Sequence, residues 1–264
     1  MILQAVLMVG GRGERLRPAS AGLPKPLVQV AGRPLLAWTI EGLRNRGFER
    51  LTLCVGPSAD PFMKFLDSSQ GRAAAGDLQI HMVEEPKPLG TIGAWLRCAL
   101  EDGPCLVQNG DVLTSLDQSA LMQEHLASTA AWTVASHEAV LRTRFGALEA
   151  SAEGRLTAYR EKPEVRWKFS SGIYVLDSSL QATITTADGL RTCPLPEMLE
   201  RLGGMGVNVH VAGHRAMWID INDPDDLRIA ERELTEDLQQ AILGLGPGPD
   251  PQRQTRYGER GWSL

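Results

Sequence analysis

The chain of 264 residues is long enough to bury one large core. Hydrophobic content of 43%, charged content of 22% and a net charge of −5 exclude a disordered chain and argue against nonspecific nucleic-acid binding as the main activity. No apolar run approaches the ~20 residues that span a bilayer, and the first such run lacks a basic leader, so a cytoplasmic protein without a membrane partner is expected. The four cysteines, Cys54, Cys98, Cys105 and Cys193, show no CxxC or His–Cys spacing. They read as reduced, buried thiols rather than zinc ligands.

In chain order, Ile2 to Val9 is an apolar run suited to a buried parallel strand. It leads into Gly10-Gly11-Arg12-Gly13-Glu14-Arg15, where three glycines permit a sharp turn and close approach to a ligand. Successive N–H groups in such a loop form a concave anion site, and Arg12, Arg15, Arg17 and Lys25 add positive charge. A bound phosphate is expected, with a plain glycine-rich βα turn as the simpler alternative. Two known phosphate loops fail: no Gly-Lys-Ser/Thr follows, and the third glycine of the dinucleotide fingerprint falls on Leu16.

Leu27 to Val30 reads as a strand, Ala31 to Pro34 as a turn, and Leu35 to Leu43 as a helix stopped by Gly47. A strand from Leu51 to Val55, a helix from Ala59 to Leu66 capped by Ser58, and a strand from Leu78 to Val83 follow. The loop from Glu84 to Thr91 is expected to open into a helix from Ile92 to Leu100. A fourth strand, Cys105 to Gln108, ends in Asn109-Gly110-Asp111, followed by a helix from Ser119 to Ala127 and a strand from Ala131 to Ser136. This alternation implies right-handed crossovers and a mostly parallel sheet. Beyond residue 136, short strands from Phe145 to Glu149, Arg155 to Arg160 and Ser171 to Leu176 suggest a smaller antiparallel lobe. A helix from Pro196 to Leu202, strands from Val207 to Val211 and Ala216 to Ile219, and one helix from Asp225 to Leu243 complete the pattern. The expected fold is α/β: a Rossmann-like three-layer arrangement on a mixed, mostly parallel sheet. One domain is expected over 1–243, with halves at about 1–136 and 137–243, followed by a flexible tail over 244–264.

Gly10 to Leu16, then Pro18, then Pro24-Lys25-Pro26-Leu27 resembles the opening motif of the sugar-phosphate nucleotidyltransferases. These enzymes join a nucleoside triphosphate to a sugar 1-phosphate and release pyrophosphate. The resemblance runs from about residue 1 to 234, and implies a nucleotide-binding first half and a sugar-binding second half. The attacking phosphate oxygen is already anionic, so no general base is needed. The obstacles are anion repulsion, alignment and charge on the leaving pyrophosphate, which a divalent metal, fixed cations and N–H groups answer.

The resemblance implies a Mg²⁺ held by Asp111 and Asp220, with Lys25 on phosphate and Arg15 on the triphosphate or pyrophosphate. Asp111 ends a predicted parallel strand, where open α/β sheets bind ligands. Alone it is equally a turn former or helix cap, and Asp220 alone competes with the capping residues Asp223 and Asp225. The resemblance also assigns Glu161 to sugar hydroxyls and Lys162 to the sugar phosphate, and places Asn109, Gly146 and Gly172 at the sugar. The nucleotide is expected at Leu7, Gly10, Gly11 and Gly13 on one side and at Glu85 and Gly90 on the other. An ionised Glu85 only accepts hydrogen bonds, and guanine offers two donors on one edge, which favours GTP. Glu14 and Val9 depart from the residues common in relatives. A guanylyl-transferring branch acting on mannose or heptose 1-phosphate is expected, beside a uridylyltransferase-like one. The alternatives are a cytidylyltransferase for a phosphorylated alcohol such as phosphocholine or inositol phosphate, and a non-catalytic nucleotide-sugar-binding regulatory subunit. Relatives often form dimers or tetramers, so a homo-oligomer is also expected.

Overall fold

The structure, a computed structural model, describes residues 2–11, 13–16, 22–85, 87, 89–90, 93–188 and 195–246. Arg12, Arg17, Pro18, Thr91, Cys193 and the tail from residue 247 lie outside the described residues. The strands are β1 (Gln4–Met8), β2 (Gln29–Val30), β3 (Arg33–Pro34), β4 (Arg50–Val55), β5 (Gln79–Glu84), β6 (Pro104–Asn109), β7 (Val112–Thr114), β8 (Trp132–Arg142), β9 (Ala147–Ala150), β10 (Leu156–Arg160), β11 (Glu164–Asp177), β12 (Val209–His214) and β13 (Trp218–Asp220).

Seven of them form one sheet in the order β12-β8-β11-β6-β1-β4-β5. β1 pairs parallel with β4 and β6, and β4 pairs parallel with β5. β11 runs against both of its neighbours, and β12 pairs parallel with β8. The sheet is therefore mixed and mostly parallel, as expected. Alternate side chains of each strand go to opposite faces. Ala5, Leu7, Leu51, Leu53 and Leu106 pack in a layer with residues of helices Leu35–Asn45, Asp60–Asp67, Ser69–Ala75 and Gln118–Ser128. Val6, Cys54, Cys105 and Val107 pack in a second layer with Trp95, Trp132 and helices Leu180–Asp188 and Leu195–Gly204. A third cluster joins Leu16, Val28 and Trp38 to Ile219, Ile221, Leu234 and Leu238, so the opening loop rests on the two C-terminal helices. Each fully buried large side chain contributes about 1.5–3 kcal/mol.

Several sequence expectations need correction. The helix expected from Ile92 to Leu100 is, within the described residues, one 3-10 turn, Trp95–Arg97. A Cβ on Gly93 would lie 2.1 Å from the Leu89 carbonyl. The helix expected from Asp225 to Leu243 is two, Pro224–Glu233 and Glu236–Ile242. Thr235 starts the second by accepting from the Leu238 N–H, a break that apolar periodicity does not register. Helix Asp60–Asp67 begins with Ala59 before it, and Ser58 Oγ accepts from the Asp60 N–H at 3.3 Å, the capping bond expected of it. Helices Ser69–Ala75 and Leu180–Asp188, and strand β7, went unanticipated.

β8 and β11 are also far longer than expected. Their outer parts, from Ser136 opposite Ser170 to Arg142 opposite Glu164, pair chiefly with each other as an arm beyond the sheet. The boundary expected at 136/137 falls inside β8. The β9–β10 hairpin sits between these long strands in sequence, and Phe145, Leu148, Leu156 and Tyr159 on it are exposed. No helix among the described residues is long and apolar enough to cross a membrane.

Candidate active site

The sheet order reverses at β1: the chain moves to β4 and β5 on one side and returns to β6 on the other. Ligands of open α/β sheets bind at such a switch, beyond the carboxyl ends of the strands. Here those ends carry Gly10 after β1 and Asn109-Gly110-Asp111 at β6. The Gly110 N–H donates to the Met8 carbonyl at 2.9 Å and locks the two ends together. Gly10 lies so close to Gly56 that a Cβ would meet its nitrogen at 2.8 Å. Gly13 is left-handed, with φ 54°, and its backbone rests on Lys25 Cβ. Gly11 faces open space. The loop then turns through the 3-10 segment Glu14–Leu16, which carries Arg15.

Lys25 opens a second 3-10 turn, Lys25–Leu27, between Pro24 and Pro26. Its side chain is 9% exposed, and Nζ donates to Asp111 Oδ2 at 2.7 Å and to Asn222 Oδ1 at 2.9 Å. Arg15 also donates to Asn222 Oδ1, at 3.4 Å. Asp220 is brought to Asp111 by strand pairing: β13 lies antiparallel to β7 with Asp220 opposite Val112, and the Ile221 N–H donates to the Asp111 carbonyl at 3.0 Å. Burial, and next the charge of Asp111, raise the Asp220 carboxyl above its ordinary pKa. Asp111 Oδ1 and Asp220 Oδ1 are both buried without a hydrogen-bond partner. Two buried carboxylate oxygens with no donor fit a divalent cation that completes its shell with water and phosphate oxygens. The fold thus brings together Arg15, Lys25, Asp111 and Asp220, four of the expected residues, with Asn222 among them.

The family model for nucleotidyl transferases matches residues 4–237. This chain belongs to that family. It is the family expected from the opening motif, and the chain is an enzyme of the nucleotidyltransferase class. It is 29% identical over 253 residues to a mannose-1-phosphate guanylyltransferase of Mycobacterium tuberculosis, covering 94% of this chain and 67% of that one. It is 28% identical to a probable mannose-1-phosphate guanylyltransferase 2 of Arabidopsis thaliana, covering 93% and 69%. Among solved structures, HddC from Yersinia pseudotuberculosis complexed with GMP-PN matches at a TM-score of 0.66 and 22% identity, over 89% of this chain and all of the other. The inositol-1-phosphate CTP transferase of T. maritima matches at 0.65 and 19%, over 92% and 96%. At such identities the structural likenesses speak for the fold.

The remaining expected residues of this nucleotidyltransferase lie around the cluster rather than in it. Asn109 packs against Gly172, which is left-handed at φ 69° and whose Cβ would lie 2.6 Å from Asn109 Nδ2. Gly146 is covered by the Tyr159 ring, and the Tyr159 hydroxyl donates to Glu161. Lys162 turns the chain from β10 into β11 with φ 45°. Glu161 and Lys162 are exposed, and neither makes a described contact with Asp111, Asp220 or Lys25. Leu7 is 0% exposed: its side chain lies in the core and its backbone is paired between β4 and β6. Glu85 is 8% exposed; its Oε2 accepts from the Leu89 N–H at 3.3 Å, and burial raises its pKa. Its carboxylate thus holds the 85–90 loop, in which Gly90 is left-handed at φ 85°.

Asn222 and Gly110 escaped the sequence reading. The only signal for Asn222 was its position two residues after Asp220. A histidine pair beside Gly172 also went unread. His214 Nε2 lies 2.6 Å from Ser171 Oγ, His137 is 5.4 Å from His214 between ring centroids, and Trp218 stacks on His137. Burial, and next the neighbouring His137, push His214 down to about 4 from 6.5. The unfolded ring takes a proton near 6.5 and the folded one only near 4, so acid favours unfolding between these values. The thermal midpoint is expected to fall as pH drops through that window, by about 3 kcal/mol of stability at most. His214→Gln should flatten the dependence in melts recorded across pH 4–7; an unaltered slope would assign it to other groups.

Proposed function

We propose that the chain condenses a nucleoside triphosphate, preferentially GTP, with a sugar 1-phosphate to give a nucleotide-sugar and pyrophosphate. The observation that carries this reading is the Lys25–Asp111–Asp220 cluster at the sheet's switch point, with two unpartnered carboxylate oxygens. A Mg²⁺ held by Asp111 and Asp220 would supply charge neutralisation at the α-phosphate and the departing pyrophosphate. The protein's own contribution is positional. N–H groups of Gly10, Gly11 and Gly13 would face the phosphates, and Arg15 and Lys25 offset their charge. Lys25, aimed by its flanking prolines, keeps a third ammonium donor for phosphate oxygen.

The sugar phosphate attacks without a base, so alignment carries the acceptor side. Glu161 and Lys162 between β10 and β11, Gly146 before β9, and Asn109 and Gly172 in the sheet are proposed to hold it. The guanine preference is supported by the guanylyltransferases to which the chain is similar. Glu85 would serve it by shaping the loop against the base. A cytidylyltransferase acting on a phosphorylated alcohol is the second reading, favoured by the likeness to the inositol-1-phosphate CTP transferase fold. The test is a matrix of four nucleoside triphosphates against sugar 1-phosphates and inositol 1-phosphate with Mg²⁺, followed by pyrophosphate release. GTP with a hexose or heptose 1-phosphate is expected to give the highest kcat/KM; a maximum at CTP with inositol 1-phosphate would decide for the second reading.

A further inference from the structure

We propose that Asn222 is a positioning residue that keeps the Lys25 ammonium and the Arg15 guanidinium in the donor site when a divalent cation takes Asp111. The inference rests on the nucleotidyltransferase reading of this site. Lys25 and Arg15 come from different turns of the opening loop, and a single oxygen, Asn222 Oδ1, accepts from both, at 2.9 and 3.4 Å. Lysine and arginine only donate, so the amide must present its oxygen to them, and this fixes which way it faces. Its Nδ2 then lies toward the Asp220 carbonyl, at 3.5 Å.

Lys25 divides its hydrogen bonds between Asn222 and Asp111, and Asp111 is one of the two carboxylates that fit a metal. A divalent cation on Asp111 weakens the hold of that carboxylate on the ammonium. Asn222 is neutral and keeps its share. Without it, Lys25 has one partner among the described residues, the same oxygen-bearing group the metal needs, and the two cations compete for it. The backbone of Asn222 is held independently of its side chain, because its N–H donates to Asp226 Oδ2 at 2.8 Å within the capping box of helix Pro224–Glu233. Truncating the amide therefore leaves the loop in place.

The experiment uses the full chain, Asn222→Ala, Asn222→Leu, Lys25→Met and the Lys25→Met/Asn222→Ala double variant. Mn²⁺ binding is read without nucleotide by the paramagnetic resonance signal of the free ion. Asn222→Ala is expected to weaken Mn²⁺ binding several-fold, and Lys25→Met to tighten it. In the Lys25→Met background, removing Asn222 should cost clearly less, because the competitor is gone and only the contact of the amide with Asp220 is lost. Asn222→Leu keeps the volume without the acceptor and should repeat the alanine result. In turnover, Asn222→Ala should lower kcat/KM for the triphosphate by about 10- to 100-fold, as expected for losing a hydrogen bond to charged groups, with KM for the sugar phosphate little changed. Unaltered Mn²⁺ binding in Asn222→Ala and Asn222→Leu, or an equal loss in the Lys25→Met background, would overturn the proposal. If the wild-type chain releases no pyrophosphate from any substrate pair, the functional reading fails, while the Mn²⁺ cycle still decides the role of Asn222.

Discussion

Asp220→Asn is expected to remove nearly all pyrophosphate release while leaving the metal-free chain at least as stable as wild type. The two effects have opposite signs because the same charge serves one end and opposes the other. The Asp220 carboxyl is raised by burial and then by Asp111, so folding resists its ionised form. An amide of the same shape removes that resistance. It also replaces one of two anionic ligands by a neutral amide at the site where charge on the α-phosphate would be neutralised, an effect worth several kcal/mol. At 1.36 kcal/mol per decade this is about a 10³-fold loss of kcat.

Asp111→Asn should lose as much activity but behave differently in stability. Lys25, 9% exposed, then keeps Asn222 but loses its carboxylate partner, at a cost of about 2 kcal/mol. Thermal melts with and without Mg²⁺ check both statements. The ion should raise the wild-type midpoint and leave both variants unmoved. Turnover near wild type in either variant would remove that residue from the metal site, and identical melts would contradict the assigned roles of the two carboxylates.

Gly110→Ala is expected to damage both stability and catalysis without touching a charged group. A Cβ at this position would lie 2.7 Å from Val9 Cγ1, 2.9 Å from the Met8 carbonyl and 3.1 Å from Pro26 Cγ. Two of these neighbours resist displacement: the carbonyl accepts the Gly110 N–H itself, and Pro26 sits in the turn that aims Lys25. Relief must come from moving residue 110, and Asp111 moves with it. Overpacking of this kind costs about 1–3 kcal/mol. A displacement approaching 1 Å at a positioning group costs up to about 10²-fold in rate. The measurement is kcat under saturating substrates beside the denaturation midpoint. A stability loss with unchanged kcat would mean that Asp111 is held by β7 rather than by the glycine.

The sequence by itself was enough for the loop, the family and the identity of most of the clustered groups. Gly10 to Arg15 and Pro24-Lys25-Pro26 are contiguous, so their spacing is fixed by covalent geometry and survives in one dimension. Strands β1, β4 and β6 were legible because strands buried on both faces are continuous apolar runs, and β5 because its side chains alternate. Periodicity could not register the two-residue break at Leu234-Thr235, nor the outer halves of β8 and β11, which are ordered by pairing with each other and of which that of β11 is largely exposed.

Only the tertiary structure decided what the chemistry-bearing residues touch. Asp111 and Asp220 are 109 positions apart in the numbering and meet because β13 pairs with β7. Asn222 gained its part from the same pairing, which carries it to Lys25 across 197 positions. Glu85 and Leu7, expected beside the base, are buried, because burial depends on which strands and turns lie alongside. Hydrogen bonds and burial between distant segments follow from sheet order and crossovers, and no local pattern of residues encodes them.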